Sequence, residues 1–309
     1  MLLEALEISR NDRKALASLS AATGIGVDLL RYYDKGGLIP PEDELAAIAK
    51  AAGTSVIALR LKLGATSKKL LAALAEQIER FPELADLEPS VVQKAQTRKP
   101  DFSTPLGALT RGDCIEYLAS LDSKSVDLVF ADPPFNLDKL YPSKIDDDLK
   151  AEQYLEWCEA WLEQCVRVLK PGGSLFLWNL PKWNTYLSTF LNRRLTFRHW
   201  IAVDIKYSLP LIGRLYPSHY SLLYYVKGDR PARFHPDRMP MPVCKECMAD
   251  LVDYGGYKDK MNPAGVNLSD VWEDIPPVRH AKYKWRKEAN ELSIRLLDRV
   301  IELASDKGD

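Results

Sequence analysis

Apolar positions in the first 64 residues recur at three- and four-residue intervals, the spacing of helices that bury one face. Leu16, Leu19 and Ala22 predict a helix over 14–23. Gly24-Ile25-Gly26 predicts a tight turn, and residues 27–33 a second short helix ended by Gly36-Gly37. Pro40-Pro41 opens a longer helix through residue 52, with Leu45, Ile48 and Ala49 inward. Gly53-Thr54-Ser55 turns the chain and caps a last helix over 56–63. Residues 65–106 read as a connector. Residues 67–80 form one amphipathic helix there, with Leu70, Leu71, Leu74 and Ile78 on one stripe. After Pro82 the periodicity is lost, and Thr97-Arg98-Lys99-Pro100 marks a joint.

From Gly107 the rhythm changes to short apolar runs alternating with helical stretches. Residues 126–131 predict a buried strand. Tyr154, Cys158, Trp161, Cys165 and Val168 predict a helix over 150–169, Lys170-Pro171-Gly172-Gly173 breaks it, and residues 174–178 form the next strand. Strand, helix, turn and strand make a βαβ unit with a right-handed crossover. A helix over 186–191 and strands over 201–207 and 220–226 follow. Residues 234–287, rich in Pro, Gly and aromatics, break the pattern and fit a target-recognition insert. Leu292, Leu296, Val300 and Leu303 line one stripe of a final helix over 290–304. The expected domains are therefore 1–64, all-α, a connector over 65–106, and 107–309, an α/β sheet.

The chain has 309 residues, 46% of them hydrophobic and 28% charged, a globular composition with room for two domains. A net charge of −1 does not announce a nucleic-acid binder, so such a role must rest on local patches. No apolar run approaches a membrane span, and the N-terminus lacks a signal-peptide pattern. Five sparse cysteines fit a reducing cytoplasm. Cys158 and Cys165 sit on the core stripe of their helix. Cys244 and Cys247 have zinc-knuckle spacing, but no second pair follows, and no metal site is assigned.

The candidate chemistry gathers where the 126–131 strand stops. Asp132-Pro133-Pro134-Phe135 places a carboxylate, two residues without backbone donors and a ring at a strand's C-terminal end. Ligands bind at that edge of open α/β sheets. The tetrapeptide after an apolar strand resembles motif IV of the amino-group DNA methyltransferases, which methylate N6 of adenine or N4 of cytosine. The resemblance implies a Rossmann-like fold, S-adenosylmethionine as cofactor and double-stranded DNA as partner. It implies that Asp132 and the Pro133 carbonyl bind the target amine, Pro134 shapes the turn and Phe135 stacks on a flipped base. An acid rather than a serine before the prolines favours adenine. Polar residues 138–148 would suit a mobile cover, and residues 211–219 a contact to DNA or the flipped base.

Several flanking segments extend the likeness. Arg111-Gly112-Asp113-Cys114 resembles the run whose acid lies near the cofactor, although Asp113 equally suits a helix N-cap. The helix from Asn290 and Glu291 is similar to motif X of the permuted β-group, beside the cofactor. Arg279, Lys282, Lys284, Arg286 and Lys287, interleaved with aromatics, are candidate phosphate contacts. Residues 1–64 resemble a Cro/repressor-type helix-turn-helix, with a likeness to MerR-type recognition helices in Leu29-Leu30-Arg31-Tyr32-Tyr33-Asp34. Arg31, Tyr32 and Lys35 would contact DNA, while Asp28 and Asp34 reduce the segment's charge. The Gly-rich turn that follows motif X in that group is missing, which implies an incomplete sheet and a truncated enzyme. Its completion would come from a C-terminal half or a homodimer partner. A DNA-binding regulator with an inert remnant, an N4-cytosine enzyme, and an RNA or protein amide methyltransferase remain open.

Overall fold

The computed structural model describes residues 2–36, 38–77, 81, 99–137, 149–204, 212–213, 215–240, 251–252, 255–276 and 292–309. They belong to two compact units, Met1–Val91 and Val92–Asp309.

The first unit is helical: α1 (Leu2–Ala5), α2 (Arg13–Thr23), α3 (Val27–Gly36), α4 (Glu42–Ala51), α5 (Val56–Lys62) and α6 (Lys68–Ala75). Hydrogen bonds at the termini set the boundaries. Asp12 Oδ1 accepts from Lys14 N and Ala15 N to start α2, and Gly24, at φ 74°, ends it in the left-handed conformation. Ser55 and Ser67 cap α5 and α6. Leu2, Leu19, Ile25, Leu30, Leu45, Ile48 and Leu59 form the core, at about 1.5–3 kcal/mol per buried side chain. α1 escaped the periodicity because four residues are too few to show one. α6 has the expected apolar stripe, yet none of its residues is buried.

Asp34, which by sequence counted against a basic α3, is only 3% exposed. Its Oδ1 accepts from Leu3 N at 3.1 Å and its Oδ2 from Arg10 Nε at 2.6 Å. Its charge ties α1 and the following turn to α3 and is withdrawn from the outer surface of that helix. Burial alone would push this carboxyl up, but the hydrogen bonds it accepts, the one from Leu3 N foremost and those from the N-terminal amine and Arg10 after it, outweigh burial and hold it below the usual range.

The second unit opens with a hairpin, β1 (Phe102–Thr104) and β2 (Gly107–Leu109). Then come α7 (Cys114–Ser120), β3 (Val126–Ala131), α8 (Ala151–Val168), β4 (Leu169–Asn179), α9 (Pro181–Leu191), β5 (Thr196–Asp204) and β6 (His219–Val226). Two-residue strands β7 (Arg238–Met239), β8 (Val266–Asn267) and β9 (Val271–Trp272) precede α10 (Ile294–Ala304). No described helix is long and apolar enough to cross a membrane.

The main sheet has the order β3-β4-β6-β5-β9. β3 pairs with β4, and β5 with β9, in parallel, while β6 is antiparallel to both its neighbours. The C-terminal ends of β3, β4, β5 and β9 therefore share one edge with the start of β6. β4 and β6 are central and buried on both faces, so they read as continuous apolar runs. Side chains alternate between two cores. Leu175, Leu177, Leu223 and Tyr225 face α8 and α9, with Cys158 and Cys165 among them. Phe176, Trp178, Leu222, Tyr224 and Val226 face Leu296, Val300 and Ala304 of α10. Burial pushes both thiols up to about 12, as fits core side chains.

Two local departures from the sequence pattern have physical causes. Lys170-Pro171-Gly172-Gly173 was expected as a turn outside the strand, but it lies within β4, with a register shift against β3. Gly172 has φ +78°, and an added Cβ would sit 2.8 Å from Ala232 Cβ. Its N–H donates to Lys227 O, and its carbonyl accepts from Ala232 N. Within 234–287, β9 returns to the main sheet beside β5, too short a strand to register as a pattern. Residues 241–250, including Cys244 and Cys247, lie outside the described residues.

We expect Gly172→Ala to cost the second unit at least about 2 kcal/mol, combining left-handed strain with the Ala232 contact. Urea unfolding followed by tryptophan fluorescence checks this, because all seven tryptophans lie in that unit. Asp34→Ala should destabilise the first unit by about 2 kcal/mol, through lost hydrogen bonds to a buried charge. The Asp34 contribution is complete above the unfolded carboxylate pKa and is lost as pH falls through its lower folded value. Hydrogen exchange of peptides within residues 2–36 should show the wild-type advantage at pH 6 and its loss in strong acid.

Candidate active site

β3 ends at Ala131, paired with Leu177, and delivers Asp132 to the shared C-terminal edge of the sheet. Asp132 is exposed, while Pro133, Pro134 and Phe135 are half-buried. Two successive prolines leave this corner two backbone N–H groups short while keeping every carbonyl. Donors on neighbouring elements supply the anchorage. Tyr154 Oη of α8 donates to Pro134 O at 2.7 Å. Trp183 Nε1 of α9 donates to Phe135 O at 2.7 Å. Asn179 Nδ2, at the end of β4, donates to Tyr154 Oη at 3.0 Å, and Asn179 Oδ1 accepts from Leu180 N. Tyr154, Asn179 and Trp183 are at most 3% exposed.

Asn136 closes the corner. Its φ of 53° is left-handed, a conformation asparagine tolerates better than most residues. Its side chain grips Leu149 from both sides, accepting from Leu149 N at 2.7 Å and donating to Leu149 O at 2.8 Å. Asn136 and Leu149, which flank residues 138–148 in the sequence, are thereby tied together. The expected cover over those residues lies outside the described part of the chain.

The Phe135 ring lies 6.0 Å from Tyr220, tilted by 47°, and packs against the α10-side core. Tyr220 in turn lies 4.9 Å from buried Trp178. Three rings from β3's end, β4 and β6 thus pack in series at this edge of the sheet. Phe135 rests against its neighbours with part of its surface open, rather than projecting freely.

Asp113 caps α7, its Oδ1 accepting from Ile115 N and Glu116 N. Both bonds use one oxygen, so the cap leaves Oδ2 available to a ligand. Asn290 and Glu291, and the basic residues Arg279, Lys282, Lys284, Arg286 and Lys287, lie outside the described residues. In the first unit Tyr32 and Lys35 are exposed and Arg31 is partly so, all on α3. The Glu44 carboxyl of α4 raises the pKa of the Tyr33 phenol behind them.

The four side chains that hold the corner, Asn136, Tyr154, Asn179 and Trp183, did not stand out by sequence. Tyr154 was read only as part of an apolar helix stripe. The usable signal was chemical: a buried Tyr or Trp needs a partner for its polar atom, and a Pro-Pro corner needs donors.

Comparison with known proteins places these residues in a wider group. A family model described as DNA methylase, N6_N4_Mtase, matches residues 126–309, from the first residue of β3 onward. Type II methyltransferase M.BamHI of Bacillus amyloliquefaciens is 48% identical over 286 residues, spanning 91% of this chain and 67% of its own length. Type II methyltransferase M.HpaI of Haemophilus parainfluenzae is 30% identical over 199 residues, spanning 64% of this chain and 59% of its own. Among solved structures, PvuII DNA methyltransferase (cytosine-N4-specific) aligns at 16% identity with a TM-score of 0.45, over 69% of this chain and 75% of that one.

Removing the Asp113 cap should cost about 1 kcal/mol in Asp113→Ala, while Asp113→Ser retains most of the stability. Thermal unfolding of both variants checks the cap. A cofactor contact through Oδ2 would show separately, as weakened cofactor binding in Asp113→Ser despite its intact stability.

Proposed function

The chain belongs to the DNA methylase family that acts at N6 and N4 amino groups, and on that footing we propose that it methylates an exocyclic amine of a base in double-stranded DNA. The observation that carries this reading is the exposed Asp132 carboxylate beside the Pro133 carbonyl, inside the matched region and at the ligand-binding edge of the sheet.

When bound, S-adenosylmethionine supplies an electrophilic methyl group. The task of this chain's residues is to make a poor nucleophile better. An exocyclic amine on a base delocalises its lone pair into the ring. Asp132 and the Pro133 carbonyl accept its two N–H bonds and favour a pyramidal, more nucleophilic nitrogen. Phe135, with Tyr220 behind it, offers an aromatic face to a base turned out of the duplex. The nitrogen's surplus proton passes to water after transfer, so no dedicated base is required. Asp113 Oδ2, Asn290 and Glu291 are the residues assigned to the cofactor.

N6 of adenine is the finer reading, resting on an acid rather than a serine ahead of the prolines. N4 of cytosine presents the same two N–H bonds to the same acceptors. β3, with one paired neighbour among the described residues, supports a sheet completed by further strands, from additional polypeptide or a second copy. In the first unit, α2, the Gly24-Ile25-Gly26 turn and α3 support a helix-turn-helix that presents Arg31, Tyr32 and Lys35 to DNA. The withdrawal of Asp34 from that surface strengthens the reading. Arg279, Lys282, Lys284, Arg286 and Lys287 would contact phosphates.

Labelled S-adenosylmethionine incubated with duplex DNA, RNA and peptide, followed by nucleoside analysis, tests the assignment. We expect label in DNA as N6-methyladenine, and a loss of about 100-fold or more in rate for Asp132→Ala. N4-methylcytosine would change the base and keep the chemistry. Label only in RNA or peptide, or full activity in Asp132→Ala, would overturn the reading. Duplex binding without transfer would point to a regulator.

A further inference from the structure

We infer that Tyr154 and Trp183 are positioning residues for methyl transfer, and that they act by removing two competing acceptors from the amine-binding corner. This rests on the amino-methyltransferase reading above and adds to it the selection of which carbonyl meets the target amine.

The argument starts from the acceptors. Two prolines make this stretch rich in carbonyl oxygens and poor in N–H groups. An incoming amine has two N–H bonds to give, and this corner carries the successive carbonyls of Pro133, Pro134 and Phe135 beside the Asp132 carboxylate. Productive geometry requires one particular pair. Pro134 O is occupied by Tyr154 Oη at 2.7 Å, and Phe135 O by Trp183 Nε1 at 2.7 Å. Among the described residues no donor reaches Pro133 O. The carbonyl left open is therefore the one next to the Asp132 carboxylate.

The polarity of this arrangement is fixed. Asn179 Oδ1 is taken by Leu180 N, which turns Nδ2 toward Tyr154. An amide NH2 can only donate, so Tyr154 Oη accepts from it and gives its single proton to Pro134 O. Trp183 Nε1 is a donor in any state. Neither side chain can switch roles to offer an acceptor of its own to the amine. Burial strengthens both bonds, because a Tyr or Trp polar atom enclosed in an apolar core has no water to exchange with. The two rings also pack on each other, 4.7 Å apart, so α8 and α9 hold the corner as one unit.

Their distance from solvent separates this role from direct chemistry. Tyr154 is 1% exposed and Trp183 is 3% exposed. They reach the substrate only through the carbonyls they occupy.

Single-turnover methyl transfer to plasmid DNA by the full chain tests this, comparing wild type, Tyr154→Phe, Trp183→Phe and Asp132→Ala. Tyr154→Phe keeps the ring and loses only the hydroxyl. We expect its transfer rate constant to fall tenfold or more. The single-turnover amplitude, and the KM values for DNA and S-adenosylmethionine from separate steady-state assays, should stay within threefold of wild type, and Trp183→Phe should behave alike. A lower amplitude with an unchanged rate constant would mean that the bond only keeps the chain folded, and would overturn the inference. So would wild-type rates in both variants while Asp132→Ala is inactive. No transfer by wild type, or equal transfer by Asp132→Ala, would overturn the parent reading and this inference with it.

Discussion

Everything at the sheet's C-terminal edge depends on a mismatch between donors and acceptors. A chain that places two prolines in succession loses two backbone donors at that point and has fewer bonds of its own to hold the turn. The corner after β3 is therefore held from outside, by Tyr154 of α8 and Trp183 of α9. That requirement explains why polar atoms lie deep in an otherwise apolar interface. It also links the helical layer to the edge where Asp132 is displayed.

The sheet supplies the rigidity such a site needs. β4 and β6 are enclosed on both faces, and β3 lies against β4 in parallel. Parallel pairing beside an enclosed strand fixes the height at which β3 stops, so Asp132 emerges one residue beyond the Ala131–Leu177 pair. The Pro171-Gly172-Gly173 bulge sets this register at the other end of β4. Lys227 closes the same end by donating to Val166 O and Leu169 O at the C-terminus of α8, where carbonyls lack helical partners. One end of the β3-β4-β6 core is thus devoted to alignment, and the other carries the acid-proline corner.

The first unit follows a different logic. Its helices are short, and their boundaries are set by side-chain caps and left-handed glycines rather than by a sheet. A buried carboxylate, Asp34, does the work of a tertiary anchor by joining Leu3 and Arg10 to α3. The same residue, read as part of a linear charge pattern, counts against DNA binding. Burial reverses its meaning: a charge neutralised inside contributes nothing to the field of the outer face.

Local pattern and composition were enough to read the strand 126–131, the helix behind it, the strand over 174–178 and the acid-proline corner. Each depends on neighbours within a few residues, where period and propensity act directly. Asp113 was legible as a cap for the same reason. Tertiary structure alone decided that Tyr154 and Trp183, 20 and 48 residues along the chain from the carbonyls they bind, would hold that corner. It also decided that β9 would rejoin the sheet from a Pro- and Gly-rich insert, and that Asp34 would turn inward. Such pairings depend on which elements meet in space, and a donor's partner across a packed interface leaves no periodic trace in the chain.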